Sequence, residues 1–350
     1  MDERNASDAH LRPGLPVIVR VDGQLGLTQP AIVGGVGKRT TAKLENLTVE
    51  AIDALVAGLP QQERVAEDLR IRRRSHLRVK IGSRLAQAHV YYAGTALCLS
   101  LRRIGTRVPA IDELRLPPVI EKATHTKRGM IIVAGNQGSG KTTTAYAMLN
   151  HINLNRSERI ATCEGILSYD LPSKMSVVTQ QEVGVDVNSY ADAVEIAVHT
   201  GVDILMLGDL PDAAAATAAL RFAENGKLVF VLLPGASVED ALEALIDRLG
   251  LPRDQACRMI ARVLQIGIAQ RLLSRVEAGR IAVNEILIST KAIRDSLAAG
   301  VTDLRPLIEE ASQTGMQTMD SAITRAYQCG EITYETAMVN LRDPKSIRND

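Results

Sequence analysis

Residues 135–142 constrain this chain more than any other feature of its sequence. They read Gly-Asn-Gln-Gly-Ser-Gly-Lys-Thr, which matches the pattern GxxxxGK[ST]. Glycines at these positions let successive backbone N–H groups converge on phosphate oxygens. The pattern needs a strand before it and a helix after it, and the apolar run 130–134 and the helical stretch after 142 fit that need. The sequence therefore predicts a nucleotide phosphate-binding loop rather than a glycine-rich turn without a ligand.

Each part of this loop has a predicted role. Lys141 neutralises the β- and γ-phosphates, the Thr142 hydroxyl ligates Mg²⁺, and the helix that follows contributes its positive dipole end. The predicted cofactors are ATP and Mg²⁺. The predicted binding residues of the loop are Gly135, Asn136, Gln137, Gly138, Ser139, Gly140, Lys141, Thr142 and Thr143.

The sequence around the loop predicts an α/β domain. Short apolar runs at 130–134, 159–163, 203–207 and 227–233 alternate with longer helical stretches. Such alternation is typical of βαβ units and a mostly parallel sheet. One helix has clear ends, because Ser237 is an N-cap with Asp240 three residues later and Gly250 follows its last turn. The last ~60 residues predict short helices.

The chain before residue 105 has a different hydrophobic pattern from the rest. Residues 15–26 alternate around Asp22-Gly23, which predicts a hairpin, and residues 49–69 have helical spacing. Residues 69–82 predict a strand with arginines on one face. The first part is therefore expected to be a small α+β domain, and the prolines of 105–118 indicate a linker.

Composition excludes several classes of function. The chain has 41 Lys and Arg against 40 Asp and Glu, and aromatic residues make up 3%. Such balance and scarcity argue against a nucleic-acid motor. Its four cysteines form no CxxC pair, and neither the polar start nor the short apolar runs indicate a signal peptide or a membrane span. We expect a cytoplasmic protein that is not an integral membrane protein.

ATP hydrolysis also needs a group that orients water and opposes the charge developing on the γ-phosphoryl group. Glu164 follows the run 159–163, and Asp209 follows the run 203–207 in the place of a Walker B acid. We predict Glu164, Asp209 and Lys141 as catalytic residues. For each carboxylate, the alternative is a solvated loop residue.

The whole chain, from about residue 5 to 347, resembles the PilT-type ATPases of the secretion-ATPase superfamily. The resemblance runs in order through residues 6–23 (ASDAHLRPGLPVIVRVDG), 114–120 (LRLPPVI), the phosphate-binding loop, 181–186 (QEVGVD), 245–249 (LIDRL), 292–296 (AIRDS) and 315–323 (GMQTMDSAI). It implies a PAS-like domain over 1–104, a linker over 105–118, a RecA-like ATPase domain over 119–290 and a helical region over 291–350.

The same resemblance implies a hexameric ring of the chain itself, or a mixed ring, that works with a platform protein at the cytoplasmic side of the inner membrane. It also implies that Arg102 and Arg78 reach a nucleotide bound between subunits. On this sequence alone, the alternative is that those arginines form a solvated face of a strand, as most arginines on such strands do.

Several positions depart from the family pattern. Gly165 and Ser168 stand where the family's Asp box is acidic, and Asp209 replaces the Walker B glutamate. Lys227 and Pro234 replace the two histidines of the His box; Lys227 is expected to retain a positive charge near the phosphates. The leading prediction is a PilT-like ATPase that drives pilus retraction. The alternative is an ATP-binding paralogue with little activity that regulates or joins an active pilus ATPase.

Overall fold

A computed structural model describes residues 6–21, 24–27, 46–81, 84–105, 107–277, 279–344 and 347. The chain divides into two compact units, Met1–Thr106 and Arg107–Asp350. Each unit contains its own β-sheet.

The first unit is an antiparallel sheet with helices on one face. Its strands are β1 (Asp8–Leu11), β2 (Ile18–Val21), β3 (Gln24–Leu27), β4 (Arg74–Ile81), β5 (Arg84–Ala93) and β6 (Ala96–Arg103). They lie in the order β3-β2-β1-β6-β5-β4. Helices α1 (Val49–Ala57) and α2 (Gln62–Arg72) bury Ile52, Val56 and Val65 in the same cluster as Leu77 and Val79 of β4. The small α+β architecture is as expected.

Two local expectations for this unit need correction. The helical stretch 49–69 is two helices, because Pro60 and the left-handed Gln61 (φ 56°) separate them. The strand expected over 69–82 is wrong at its start, since α2 continues to Arg72 and β4 begins at Arg74. Val65 and Leu69 contribute to the core at helical spacing, and that spacing outweighs the local alternation. The hairpin strands β2 and β3 do pair, whereas the turn residues 22–23 lie outside the described residues.

The second unit is built on a seven-stranded sheet. Its strands are β7 (Gly129–Ala134), β8 (Arg159–Glu164), β9 (Val177–Glu182), β10 (Ile204–Leu207), β11 (Leu228–Leu233), β12 (Leu264–Ser274) and β13 (Arg280–Ile288). Their order is β13-β12-β7-β11-β10-β8-β9. Every neighbouring pair is parallel except β12 with β13. The mostly parallel sheet is therefore confirmed.

Helices cover both faces of this sheet. They are α3 (Pro118–Ala123), α4 (Lys141–Asn155), α5 (Tyr190–His199), α6 (Ala213–Glu224), α7 (Val238–Leu249) and α8 (Arg253–Val263). Ile131 and Val133 of β7 join the core beside α4, whereas Met130 and Ile132 join the core beside α5 to α8. Burial on both faces explains why these strands are continuous apolar runs in the sequence. The predicted capping box of α7, Ser237 with Asp240, is present.

The chain ends in short helices, as expected: α9 (Lys291–Ala298), α10 (Arg305–Glu310), α11 (Met319–Gln328) and α12 (Tyr334–Asn340). The segment before α3, expected to be a linker, buries Val108, Ile111 and Leu116 in the core of the second unit. Across the described ranges of the chain, no helix combines the length and apolar character needed to cross a bilayer.

Candidate nucleotide-binding and catalytic site

The phosphate-binding loop lies where the sequence places it, between β7 and α4. Gly135 follows the last residue of β7, and Gly140 is the N-cap of α4. Gly138 and Gly140 have φ angles of 80° and 82°, a region that L side chains rarely adopt. A Cβ added to Gly135 would lie 2.1 Å from Ser139 Oγ. The fold of this loop therefore requires glycine and leaves its backbone accessible to a ligand.

Lys141 lies over the loop that precedes it. Its Nζ is 3.5 Å from the carbonyl oxygen of Asn136. Burial lowers the pKa of Lys141 below the usual lysine value, and the nearby Asp209 carboxylate opposes that decrease. The first N–H groups of a helix have no partner within the helix, so the start of α4 can donate to an anion. A phosphate chain fits this combination of exposed N–H groups and one lysine.

Buried amides support the underside of the loop. Gln270 of β12 is 3% exposed, and its Nε2 donates to the Ser139 carbonyl at 2.8 Å. Its Oε1 accepts from Thr144 Oγ1 of α4 at 2.7 Å and from Asn284 Nδ2 of β13 at 2.9 Å. The loop and the start of α4 are thus tied to the same side chain.

Glu164 ends β8 at the same edge of the sheet, and it is buried (4% exposed). The Tyr146 hydroxyl donates to one of its carboxylate oxygens, and Ser168 Oγ donates to the other at 2.9 Å. Burial raises the pKa of Glu164 to about 7, although both hydrogen bonds oppose the increase. Glu164 is therefore not a solvated loop carboxylate, and a water must compete with two hydroxyl groups for its oxygens.

The partners of Glu164 belong to a larger polar cluster. Gln180 of β9 donates through Nε2 to the Tyr146 hydroxyl at 2.9 Å and to the Tyr169 carbonyl at 3.0 Å. The Tyr169 hydroxyl lies 3.1 Å from Thr143 Oγ1 in the first turn of α4. The rings of Tyr146 and Tyr169 are 5.2 Å apart. The cluster therefore connects Glu164 to the residue after the predicted magnesium ligand.

Asp209 follows β10 at this same edge. The strand β10 lies between β8 and β11, and the Gly208 N–H donates to the Cys163 carbonyl at 2.8 Å. Asp209 is partly exposed, and one of its oxygens accepts from its neighbour Leu210 N at 2.8 Å. The structure thus brings Asp209 and Glu164 to the edge that bears the loop, and Asp209 to within electrostatic influence of Lys141.

Lys227 does not lie near the loop, so that expectation is wrong. Lys227 precedes β11, and its carbonyl accepts from the N–H of Gly129 at the start of β7. Its Nζ binds Asp203 at 2.8 Å. In a parallel sheet the starts and the ends of strands lie at opposite edges, so Lys227 is at the edge away from the loop. Pro234, by contrast, directly follows β11 and lies at the edge that bears the loop. Gly135 of the loop donates its N–H to the backbone carbonyl of Leu233, the residue before Pro234.

Arg102 and Arg78 belong to the first unit. Arg102 on β6 forms an ion pair with Asp8 at 2.8 Å, and its side chain remains 53% exposed. Arg78 on β4 and Arg102 both pair with Gln87 of β5 in the sheet register, so they lie on one face. Their predicted contact with a nucleotide stays a prediction.

Sequence reasoning missed the side chains that surround the predicted residues. They are Tyr146, Tyr169, Gln180, Gln270 and Asn284. A signal existed for two of them. A buried tyrosine needs a partner for its hydroxyl, and an amide within the apolar run of β12 needs partners for its donors and acceptors. Neither signal indicates which distant residue supplies the partner.

The residues present fit magnesium bound with a nucleotide. The described parts of the chain contain no group of three His, Cys, Asp or Glu side chains placed to hold a metal ion by themselves. Mg²⁺ bound through substrate phosphates needs few protein ligands and keeps several waters. Thr142, the second residue of α4, offers one hydroxyl beside the glycine cradle.

Comparisons with known proteins agree with this geometry. The family model described as "Type II/IV secretion system protein" matches residues 3–338. A type IV pilus ATPase PilU of Pseudomonas aeruginosa is 33% identical over 74% of this chain and 68% of its own length. The type IV pilus retraction ATPase PilT of the same organism is 28% identical over 99% of this chain and 97% of its own length.

A solved structure extends the agreement to the fold. The crystal structure of the pilus retraction motor PilT with bound ADP superposes with a TM-score of 0.84 at 30% identity, covering 99% of this chain and 96% of that chain. Fold and site together define an ATPase with a RecA-like P-loop domain and a small N-terminal α+β domain. The chain belongs to the type II/IV secretion system protein family, and it is an ATPase of the PilT type. The regulatory alternative is not favoured by these relatives.

Proposed function

We propose that this chain is a motor that binds MgATP at residues 135–143 and couples its hydrolysis to retraction of a type IV pilus. One observation carries the proposal. The loop glycines Gly135, Gly138 and Gly140 lie at the same edge of the sheet as Lys141, Glu164 and Asp209. The chain also matches the ADP-bound retraction motor over nearly its whole length.

Each residue has a proposed role. The loop N–H groups and Lys141 bind the phosphates, and Lys141 opposes charge that develops on the γ-phosphoryl group. Thr142 provides the oxygen for Mg²⁺, which supplies further positive charge when bound. Glu164 accepts a proton from the attacking water or orients it, and Asp209 helps to place that water.

Assembly completes the proposal. We infer a ring of six copies, or a mixed ring with a homologue, on the cytoplasmic side of the inner membrane, where a platform protein of the pilus machine is its partner. In such a ring, Arg102 and Arg78 would contact a nucleotide bound at the boundary between two subunits. A guanidinium group suits this role, since it binds phosphate oxygens in a bidentate manner.

The test is steady-state hydrolysis of MgATP by the purified chain with four single variants. Lys141→Ala, Glu164→Gln and Asp209→Asn should each lose most of the activity, and Lys141→Ala should also lose ADP binding. Asp203→Asn is the matched control, since Asp203 lies at the opposite edge of the sheet beside Lys227. Wild-type protein without ATP turnover would contradict the proposal.

The pilus role needs a separate readout. The gene should restore twitching in a bacterium that lacks its own retraction ATPase, and the Lys141→Ala gene should not. Full ATPase activity in vitro without restored twitching, in a host where a PilT control gene succeeds, would contradict the pilus role and leave the ATPase assignment intact.

A further inference from the structure

A chain of buried side-chain amides connects the phosphate-binding loop to the C-terminal helical region. Gln270 and Asn284 face each other in the register of β12 and β13, and Asn284 Nδ2 donates to Gln270 Oε1 at 2.9 Å. The next link is Gln317, whose Nε2 donates to the backbone carbonyl oxygen of Asn284 at 2.7 Å. Arg325 of α11 then donates to Gln317 Oε1 at 3.2 Å. Together Gln270, Asn284 and Gln317 are called the amide ladder below.

The ladder is enclosed by protein. Gln270, Asn284 and Gln317 are 3%, 1% and 9% exposed. The backbone of Gln317 is fixed as well, because it exchanges two hydrogen bonds with Ile286 of β13, at 2.8 and 3.1 Å. Both amide groups of Gln270 and Gln317 have partners, whereas Asn284 Oδ1 is buried without one among the described residues. The paired amides resist reorientation, since each lost hydrogen bond inside the protein is costly.

The contacts of Gln270 define which way its amide points. Its Oε1 accepts from two donors, Thr144 Oγ1 and Asn284 Nδ2, whereas its Nε2 donates to the Ser139 carbonyl. A flipped amide would place the Gln270 oxygen against the oxygen of the Ser139 carbonyl, which can only accept. Gln270 therefore acts on the loop in one orientation.

That orientation sets the direction of a loop N–H group. In a trans peptide the C=O and the following N–H point in opposite directions. Because the Ser139 carbonyl points to Gln270 on the buried side, the Gly140 N–H points to the open side of the loop. A phosphate bound there would meet an N–H that is already oriented, which lowers the cost of binding.

We propose that Gln270 is a positioning residue for nucleotide binding, and that the amide ladder lets the C-terminal segment around Gln317 set the affinity of the phosphate-binding loop. The proposal rests on nucleotide binding at residues 135–143. It gives the C-terminal region a direct mechanical connection to the nucleotide site within a single chain. The connection consists of hydrogen bonds on either side of Asn284, whose side chain binds Gln270 and whose backbone carbonyl binds Gln317.

The first test changes Gln270, which contacts the loop, α4 and Asn284. Gln270→Met retains the size of the side chain and removes both polar ends. Gln270→Glu keeps an acceptor for Thr144 and Asn284 but replaces the donor to Ser139 with a second carboxyl oxygen. Both variants should raise the KM for ATP and the Kd for ADP about tenfold, the equivalent of one hydrogen bond. Because the loop contacts nucleotide before and during reaction, kcat should change less than about twofold.

The second test acts from a distance. Gln317→Glu retains the oxygen that accepts from Arg325, so the fold keeps that contact, but it loses the donor to Asn284. It should raise the Kd for ADP roughly three- to tenfold, although Gln317 has no direct contact with the loop. In the double variant Gln270→Met with Gln317→Glu, the effects should not add, since both changes break the same chain of contacts.

The matched control is Asn153→Leu. Asn153 is a buried amide at the far end of α4, where it contacts Pro172 and Lys174, and it has no link to the ladder. It should lower the thermal midpoint and leave the Kd for ADP unchanged. An unchanged Kd in Gln317→Glu, or additive effects in the double variant, would overturn the ladder. Lack of ADP binding by the wild type would instead overturn the proposed function.

Discussion

The Tyr146 hydroxyl donates a hydrogen bond to Glu164, which joins the helix that begins at the phosphate-binding loop to the strand that ends in the candidate catalytic acid. The same hydroxyl accepts from Gln180 Nε2 at 2.9 Å. One hydrogen bond to the Glu164 carboxyl thus comes from α4, the helix that begins at the phosphate-binding loop. A shift of α4 during nucleotide exchange would change the surroundings of the acid.

Removal of the Tyr146 hydroxyl should move the pH dependence of hydrolysis. Burial raises the pKa of Glu164 to about 7, and the hydrogen bond from Tyr146 limits that increase. If Glu164 serves as the base, activity rises as pH increases through 7. In Tyr146→Phe this rise should shift to higher pH, with the KM for ATP unchanged, as a pH–rate profile will show.

Tyr169→Phe is the matched control for this experiment, because the Tyr169 hydroxyl contacts Thr143 and not Glu164. Its rise in activity should stay at the wild-type pH. A Tyr146→Phe enzyme with an unshifted profile would show that Glu164 does not act as the base.

The stability of the fold should also depend on the protonation of Glu164. Burial raises its pKa from 4.5 to about 7, so the folded state favours the neutral acid. The stability that this proton provides is fully present below pH 4.5 and is lost as pH rises through 7. The thermal midpoint of Glu164→Gln, relative to that of the wild type, should therefore increase between pH 5 and pH 8.

Other titrating groups are common to both proteins and cancel in that difference. Scanning calorimetry or circular dichroism at pH 5, 6, 7 and 8 measures it. A constant difference across this range would mean that Glu164 is ionised throughout in the folded state, and it would contradict the effect of burial.

The sequence predicted the positions of strand ends better than the partners of the side chains there. The sequence predicts that Glu164 and Asp209 follow two strands, and both lie at the edge that bears the loop, because carboxyl ends of parallel strands share an edge. The contact of Glu164 with Tyr146 spans 18 positions of the chain and depends on how α4 packs on the sheet. No local pattern contains that information.

The two main errors have physical causes. Residues 69–72 alternate like a strand, but the helical core contact of Leu69 keeps them in α2. The prediction that Lys227 lies near the phosphates rests on resemblance alone. Its position before the strand 228–233 already puts it at the amino edge of a parallel sheet, away from the loop.

Because Lys227 lies away from the loop, its substitution should not affect catalysis. Lys227→Met removes the ion pair with Asp203, whose side chain is 40% exposed, so the free energy of unfolding should fall by less than about 1 kcal/mol. The kcat and KM for ATP should equal those of the wild type in a steady-state assay. A large loss of kcat would require Lys227 to reach the nucleotide in some state of the enzyme.

Two glycine substitutions should separate the shape of the loop from backbone strain. In Gly135→Ala the new methyl group would meet Ser139 Oγ at 2.1 Å and the Gln270 carbonyl at 2.9 Å, so the loop must deform. We expect ADP binding to weaken at least about tenfold, because the N–H groups of the deformed loop no longer converge. Titration with a fluorescent ADP analogue measures this loss.

Gly250→Ala is the control, since Gly250 caps α7 with φ 63° and has free space around it. A left-handed alanine costs about 1 kcal/mol of stability, which chemical denaturation will report, and ADP affinity should be unchanged. Gly135→Ala with wild-type affinity would mean that the loop rearranges without loss of its phosphate contacts. That result would contradict the requirement for glycine next to β7, because the close approach of Ser139 and Gln270 would then be dispensable.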